Sequence, residues 1–223
     1  MTTSKAIILA AGMGTRIKKL SSDKPKCLLK IPNENISIIE RQIKILKKNS
    51  IKDILIITGY KSTILKNEIA KYKGVRFRYY PYYKSTNNLN TLLHFKDELN
   101  SSFVCLFADV IFDQKILNRL INKKNNIVTA IDTSKSLEDT MRVKIIKNKL
   151  TDIGSHIPAQ HGHGNFIGLC KFSKKGSSIL KKNLIILKKK YKDYYTIAIQ
   201  KMINDKILVN FFDCKNFFWK EID

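Results

Sequence analysis

Closely spaced cysteines are missing from this chain. Cys27, Cys105, Cys170 and Cys214 stand far apart, so neither a zinc-binding pair nor a redox CxxC can be built from neighbours. Cys105 lies inside an apolar run, where a buried free thiol is ordinary, and all four read as reduced, inert side chains. Long hydrophobic runs are missing too: none approaches the roughly 20 residues of a membrane span. The stretch Met1 to Ala11 lacks the basic, apolar, small-residue order of a secretory signal, which points to the cytoplasm. There is no internal repeat and no linker-like tract of Pro, Gly or Ser. Arginine is scarce, six against 36 lysines, whereas dedicated nucleic-acid binders favour arginine and concentrate it.

What is present is a globular composition. The chain has 223 residues, of which 43% are hydrophobic and 27% charged. A chain of that length buries roughly 70% of the surface it exposes unfolded and needs no disulfide or metal staple. The formal net charge is +24. Lysine, asparagine and isoleucine are over-used together, as AT-rich coding would produce; an anionic partner is the other reading. Because lysine is spread along the whole chain, it reads as a general positive field that gathers polyanionic substrates, not as an RNA groove.

Periodicity divides the chain into alternating elements. Ala6–Ala10 reads as a short strand ending in a glycine loop. Ser37–Lys48 reads as a helix, with Ser37 and Glu40 forming a capping box. Strands are expected at Ile54–Thr58, Val75–Tyr80, Phe103–Ala108 and Ile127–Asp132, and helices at Thr63–Tyr72, Asn88–Leu99 and Gln114–Ile121. That βαβα order predicts an α/β fold with a mostly parallel sheet and helices on both faces. From Met141 onward the rhythm changes. Arg142–Ile146 and Thr151–Ile153 read as a hairpin, Asn165–Phe172 as a strand, Ser177–Lys190 and Thr196–Ile203 as helices, and Leu208–Phe212 and Phe218–Ile222 as closing strands. The expectation is one domain over residues 1–223, with residues 1–140 as one half and residues 141–223 completing the sheet and covering a substrate.

The chemistry concentrates after the first strand, in Leu9-Ala10-Ala11-Gly12-Met13-Gly14-Thr15-Arg16 and then Pro25-Lys26. Small residues there let backbone N–H groups close on phosphate oxygens, because no side chain blocks the approach. Arg16 and Lys26 add positive charge over the same phosphates. A Rossmann fingerprint would need a third glycine where Ile17 stands, and a Walker A loop would need Gly-Lys-Ser/Thr, which is absent. A second signal is the apolar run Phe103–Ala108 leading into Asp109. A carboxylate at the carboxyl end of a central strand sits where open α/β sheets bind ligands; the alternative for Asp109 is a helix cap. Asp113 reads as the cap of the next helix.

The string Leu9–Arg16 with Pro25-Lys26 resembles the signature of the nucleotidyltransferases of the sugar-1-phosphate and phosphocholine cytidylyltransferase type, which have a Rossmann-like nucleotide-binding fold. The resemblance implies that Leu9, Ala10, Ala11, Gly12, Gly14 and Thr15 lie along the nucleotide. It implies that Lys26 and Arg16 serve catalysis by holding the triphosphate and acceptor phosphate. Asp109 fits the family's Mg²⁺-binding aspartate. Trp219-Lys220-Glu221-Ile222-Asp223 resembles a segment whose closing aspartate is the second metal ligand, so Asp223 is carried over. The family usually continues into one more helix, so a truncated chain is one reading of an ending at Asp223.

Two more stretches resemble the phosphocholine and phosphonate branch. Thr86–Leu92 is similar to its Asn-Asn helix start, where Asn88 meets the nucleotide or the acceptor; an ordinary N-cap is the alternative. Gly164–Leu169 places Asn165, which the resemblance assigns to acceptor binding, where that branch usually has Glu. Tyr83, in the cluster Tyr79, Tyr80, Tyr82 and Tyr83 around Pro81, is a candidate acceptor wall by cation–π contact; strand packing is the other reading. His156, His161 and His163 crowd a glycine-rich loop compatible with a transition-metal site, an active-site loop or a surface loop. Lys188–Lys190 reads as a solvated helix face.

The implied activity is transfer of CMP from CTP to a small phosphate or phosphonate monoester, such as phosphocholine, aminoethylphosphonate or a related phosphorylated amine or amide. Pyrophosphate would leave, Mg²⁺ would be the cofactor, and the product would decorate a surface polysaccharide or lipid. No Ser-His-Asp triad is needed, because a phosphomonoester is already a nucleophile at pH 7. Two other classes stay open: a sugar-1-phosphate nucleotidyltransferase using UTP, dTTP or GTP, and a non-catalytic polyanion-binding protein. No specific nucleic-acid partner and no membrane span are expected.

Overall fold

The computed structural model describes residues 3–14 and 23–222. Its strands and α-helices run β1 Lys5–Ala10, α1 Ile38–Lys48, β2 Asp53–Thr58, α2 Ser62–Ile69, β3 Val75–Tyr79, α3 Asn88–His94, β4 Phe103–Phe107, β5 Val110–Phe112, α4 Gln114–Ile121, β6 Ile127–Asp132, β7 Arg142–Ile146, β8 Lys149–Gly154, β9 Gly164–Phe172, α5 Lys174–Ile186, α6 Thr196–Asn204, β10 Asn210–Asp213 and β11 Trp219–Glu221. Apolar β-branched runs bounded by polar turns make the central strands. β1 reads Lys-Ala-Ile-Ile-Leu-Ala and is buried along almost its whole length, as a strand covered on both faces must be.

The main sheet has the order β10-β6-β9-β4-β1-β2-β3, with β7 pairing onto the start of β9 and β8 onto β7. β1 pairs in parallel with β2 and β4, and β2 with β3. β9 runs antiparallel between β4 and β6. The sheet is therefore mostly parallel, with one strand of the later half inserted against the rest. Alternate residues of β1 face opposite sides. Ala6 and Ile8 pack with Ile39 and Ile43 of α1, Leu65 of α2 and Leu117 of α4. Ile7 packs on the other face with Leu89 of α3, Leu180 of α5 and Ile199 of α6. Three helices thus cover each face, as the alternating order predicts.

Several boundaries differ from the sequence expectation, each for a local reason. Ser37 and Glu40 do form the capping box that starts α1. The helix expected over Asn88–Leu99 ends at His94, with a 3₁₀ turn following at Lys96–Glu98. α5 begins at Lys174, because Ser173 caps it by accepting from the Gly176 N–H, and it ends at Ile186. Lys188, Lys189 and Lys190 are therefore exposed residues beyond the helix, not one of its faces. The strand β5 was not anticipated; it pairs antiparallel with β11 in a separate two-stranded sheet. No described helix is long and apolar enough to cross a membrane.

Candidate active site

β1 and β4 are neighbours, and their carboxyl ends open into one cleft of about 360 Å³. The loop after β1 supplies Ala11, Gly12, Met13 and Gly14 to its wall. That loop is held close to the next crossover: the Tyr60 N–H donates to the Ala11 carbonyl at 3.1 Å. A Cβ on Gly59 would lie 2.6 Å from the same carbonyl, so only glycine allows the approach. Gly14 takes the left-handed backbone, φ 61°, which glycine adopts at no steric cost. A Cβ on Gly12, by contrast, would meet no atom of the described residues within 4 Å. Gly12 thus presents its backbone to the cleft.

Lys26 enters from a short 3₁₀ turn, Lys26–Leu28, that follows Pro25. Cys27 and Leu28 are buried in the core beside α1, which fixes the backbone of Lys26. Its Nζ donates to Asp109 Oδ2 at 3.2 Å. The lysine side chain is 10% exposed and the aspartate side chain 28%, so the pair is sunk in the floor with its acidic side toward the cleft.

Asp109 sits in the two-residue gap between β4 and β5, and that gap is clamped from three sides. Gln42 of α1, fully buried, donates from Nε2 to the carbonyls of Phe107 at 2.9 Å and Val110 at 2.8 Å. The Ala108 N–H donates to the Leu9 carbonyl, and the Ile222 N–H donates to the Asp109 carbonyl at 3.0 Å. β11 therefore lies directly against the turn and brings Glu221 into the cleft wall. Trp219 secures that strand by donating from Nε1 to Asp132 Oδ2 at 2.7 Å. Asp113 caps α4 through the Lys115 N–H, as expected.

The opposite wall comes from the start of α3. Asn87, not Asn88, is the N-cap residue. Asn88 lines the cleft, and its Oδ1 accepts from the Tyr195 N–H at 2.7 Å. This bond helps dock the 190–195 segment, which contributes Tyr194 to the wall. Tyr83 lines the cleft as well, whereas Tyr80 is buried with its hydroxyl on Thr86.

The sequence candidates therefore separate cleanly. Leu9, Ala10, Ala11, Gly12, Gly14, Lys26, Tyr83, Asn88 and Asp109 line one cleft. Thr15, Arg16 and Asp223 lie outside the described residues. Asn165 is the correction. It is fully buried, its Oδ1 accepts from the Leu137 N–H and the Thr140 hydroxyl, and its Nδ2 donates to the Lys135 carbonyl. With these bonds to the 135–140 loop, Asn165 anchors that loop and does not line the cleft. Among the described residues no three His, Cys, Asp or Glu side chains gather as a metal site, so His156, His161 and His163 form none. His156 instead pairs with Asp152, and His163 bonds the Ile145 backbone. Gln42 and Glu221 were missed. The first was hidden inside an apolar stripe, and the second in a segment noted only for its final aspartate.

The donor set of the cleft suits a hard cation. The carboxylates of Asp109 and Glu221 line it, and no histidine does. Cys27 also lines it, but burial first, and then the negative charge of Asp109, push its thiol up to about 12, which keeps it neutral and no thiolate ligand. Oxygen donors in small number are what Mg²⁺ uses, since it retains several waters.

Residues 5–141 match the nucleotidyl transferase family, and the chain belongs to that family. It is 31% identical over 185 residues to the CTP:phosphoglutamine cytidylyltransferase of Campylobacter jejuni, spanning 75% of this chain and 72% of that protein. It is 38% identical over 116 residues to the choline-phosphate cytidylyltransferase of Streptococcus pneumoniae, spanning 52% of this chain and 49% of that protein. A solved structure of the CTP:phosphocholine cytidylyltransferase of Streptococcus pneumoniae superposes with a TM-score of 0.81, over 100% of this chain and 94% of that one at 24% identity. That last likeness is one of fold.

Proposed function

We propose that this chain is a cytidylyltransferase that moves CMP from CTP onto a small phosphate or phosphonate monoester and releases pyrophosphate. The single observation that carries this reading is the cleft itself. It sets the open backbone of Ala11–Gly14 against the buried Lys26–Asp109 pair, in a chain whose similarity to cytidylyltransferases extends over most of its length.

The residues divide the work by position. Backbone groups of Ala11–Gly14 receive the nucleotide, where Gly12 leaves room for phosphate oxygens. Lys26 places an ammonium where charge builds during attack on the α-phosphorus, and a buried cation is worth most there because water does not screen it. The acceptor needs no base, since its second ionisation lies near pH 6. Asp109, with Glu221 beside it, is the group that would hold Mg²⁺, and a bound magnesium ion would neutralise phosphate charge and align the reacting oxygens. Gln42 and the Ile222 N–H keep the Asp109 turn from moving as its charge is drawn on. Action in the cytoplasm, where CTP is available, belongs to the same reading.

The test is pyrophosphate release across four nucleoside triphosphates and a panel of acceptors: phosphocholine, phosphoglutamine, aminoethylphosphonate and glucose 1-phosphate. The expected result is release with CTP and a phosphorylated amine or amide, lost on adding EDTA and restored by Mg²⁺. Release with UTP and glucose 1-phosphate but not with CTP would overturn the reading, as would no release from any pair.

A further inference from the structure

The far end of the sheet carries a second cavity that the cleft chemistry does not use. It opens at the amino ends of β4 and β6, where Ser102, Asn126 and Ser173 meet. The five residues of β4, at about 3.3 Å each, separate it from the Asp109 end. Its volume is about 760 Å³, and its walls carry Lys123, Lys124, Lys171, Lys174 and Lys175. None of the residues lining it is acidic, aromatic or arginine.

The walls are built. Lys171 is 4% exposed, and its Nζ donates to the carbonyls of Lys123 at 2.9 Å and Asn125 at 2.8 Å. That bond pair ties down the turn carrying Lys123 and Lys124 and satisfies the carbonyls that follow α4. Across the groove, the Ser173 hydroxyl donates to Asn126 Oδ1 at 2.7 Å, and the Ser173 N–H donates to the Asn126 carbonyl at 2.8 Å. A Cβ on Gly176 would lie 2.2 Å from that carbonyl, so the start of α5, with Lys174 and Lys175, fits closely against the turn.

The charges are also unanswered. Lys5, Lys26, Lys71 and Lys201 each pair with a carboxylate. None of the five groove lysines does so among the described residues. Burial lowers the affinity of Lys171 for its proton, as an ammonium without a counter-ion requires. Five like charges around one concavity repel, and a bound anion would relieve them.

We propose that this groove is a second binding site, for a condensed phosphate chain of the tripolyphosphate type. Such a ligand carries several charges within a short span and can meet both lysine walls at once. A single-stranded nucleic acid would look for aromatic or arginine platforms, which the walls lack. A bilayer would look for a projecting apolar surface, and the lining is concave with Ile121 its only large apolar residue. The proposal does not depend on the cleft being a cytidylyltransferase site.

The test is calorimetric titration of the full chain with sodium tripolyphosphate in 0.15 M KCl, in a Lys26→Ala background that weakens anion binding at the cleft. Two double variants each remove two charges: Lys124→Gln/Lys175→Gln in the groove, and Lys188→Gln/Lys189→Gln on the exposed segment after α5. All four lysines are exposed, so the melting temperature should hold in both. The groove pair should weaken tripolyphosphate at least about tenfold and the outside pair less than about twofold. Competition by CTP in that background would identify a nucleotide's triphosphate tail as the natural source, and its absence a free oligophosphate. Equal weakening by both double variants would mean a diffuse field and overturn the site. Loss of all tripolyphosphate binding in Lys26→Ala alone would overturn it too. An RNA oligomer that binds more tightly than tripolyphosphate through Lys124 and Lys175 would overturn the ligand class.

Discussion

Two lysine–carboxylate pairs sit at opposite ends of β1. At its start, Lys5 Nζ meets Glu98 Oε2 at 2.6 Å, with side chains only 7% and 11% exposed. Lys5 also donates to the Glu98 carbonyl at 2.8 Å, and Arg76 and Arg78 close on the same carboxylate. Beyond its end, Lys26 meets Asp109 at 3.2 Å, and the aspartate keeps 28% of its side chain open to a cleft. The first pair is short, multiply bonded and shut, so removing one partner would leave an uncompensated buried charge. The second is longer and faces a cavity, the arrangement of charges kept ready for a ligand. The same two functional groups thus close a cluster in one place and line an open cleft in the other.

That contrast can be broken experimentally. The largest expected effect is on chemistry: Lys26→Ala should lower turnover by roughly 10²–10³, the usual loss for one transition-state charge partner, with little change in melting temperature. Wild-type turnover in that variant would place both pairs in the structural class. Next, Glu98→Gln should cost roughly 3 kcal/mol of stability, because it strands the buried Lys5, while kcat of the folded protein stays unchanged. Urea denaturation alongside the pyrophosphate assay separates the two quantities, and a fall in kcat without a fall in stability would erase the distinction.

A smaller effect isolates the open end. In Gly12→Ala the added methyl meets no atom of the described residues, so stability should move by less than about 1 kcal/mol. The KM for CTP should rise by roughly tenfold, the worth of one misplaced methyl against a ligand. An unchanged KM would remove Gly12 from the nucleotide wall. The smallest effect is a pH profile. Hydrogen bonding from Arg76 in the first place, against the counter-effect of burial and with help from Lys5, holds the Glu98 carboxyl down to about 2, against an ordinary 4.5. Its stabilisation is therefore complete above about pH 4.5 and is lost as pH falls from there toward 2. Denaturation midpoints at pH 7, 4.5 and 3 should fall less steeply in Glu98→Gln than in the wild type; identical slopes would mean the closed cluster carries no acid-sensitive stability.

Legibility in the sequence followed the range of the interaction. The capping box at Ser37 and Glu40 and the span Gln114–Ile121 were readable because caps and apolar period are local. Asp109 was readable because an apolar run ended on it. The pairing of β5 with β11 was not, since it joins residues more than a hundred positions apart, and Glu221 came into the cleft only through that pairing. Gln42 lies among the apolar residues of α1, and only the fold shows that its amide holds the carbonyls on either side of Asp109. The start of α5 lies three residues before the expected Ser177, because the Ser173 hydroxyl caps the helix through the Gly176 N–H. Asn165 stood in a resembling stretch, but the loop that claims its amide is recognisable only in three dimensions.

Trp219 gives the molecule an optical gauge of its own. It is the chain's single tryptophan, and its indole N–H rests on a carboxylate, Asp132. It lies two residues from Glu221, on the strand bonded across to the turn that bears Asp109. Indole emission shifts with the polarity and charge beside the ring, so a ligand that displaces Glu221 or Asp109 should be reported by the chain's one indole. Occupancy of the cleft can therefore be followed in the unlabelled protein by ultraviolet fluorescence, with no second chromophore of the same kind to dilute the signal.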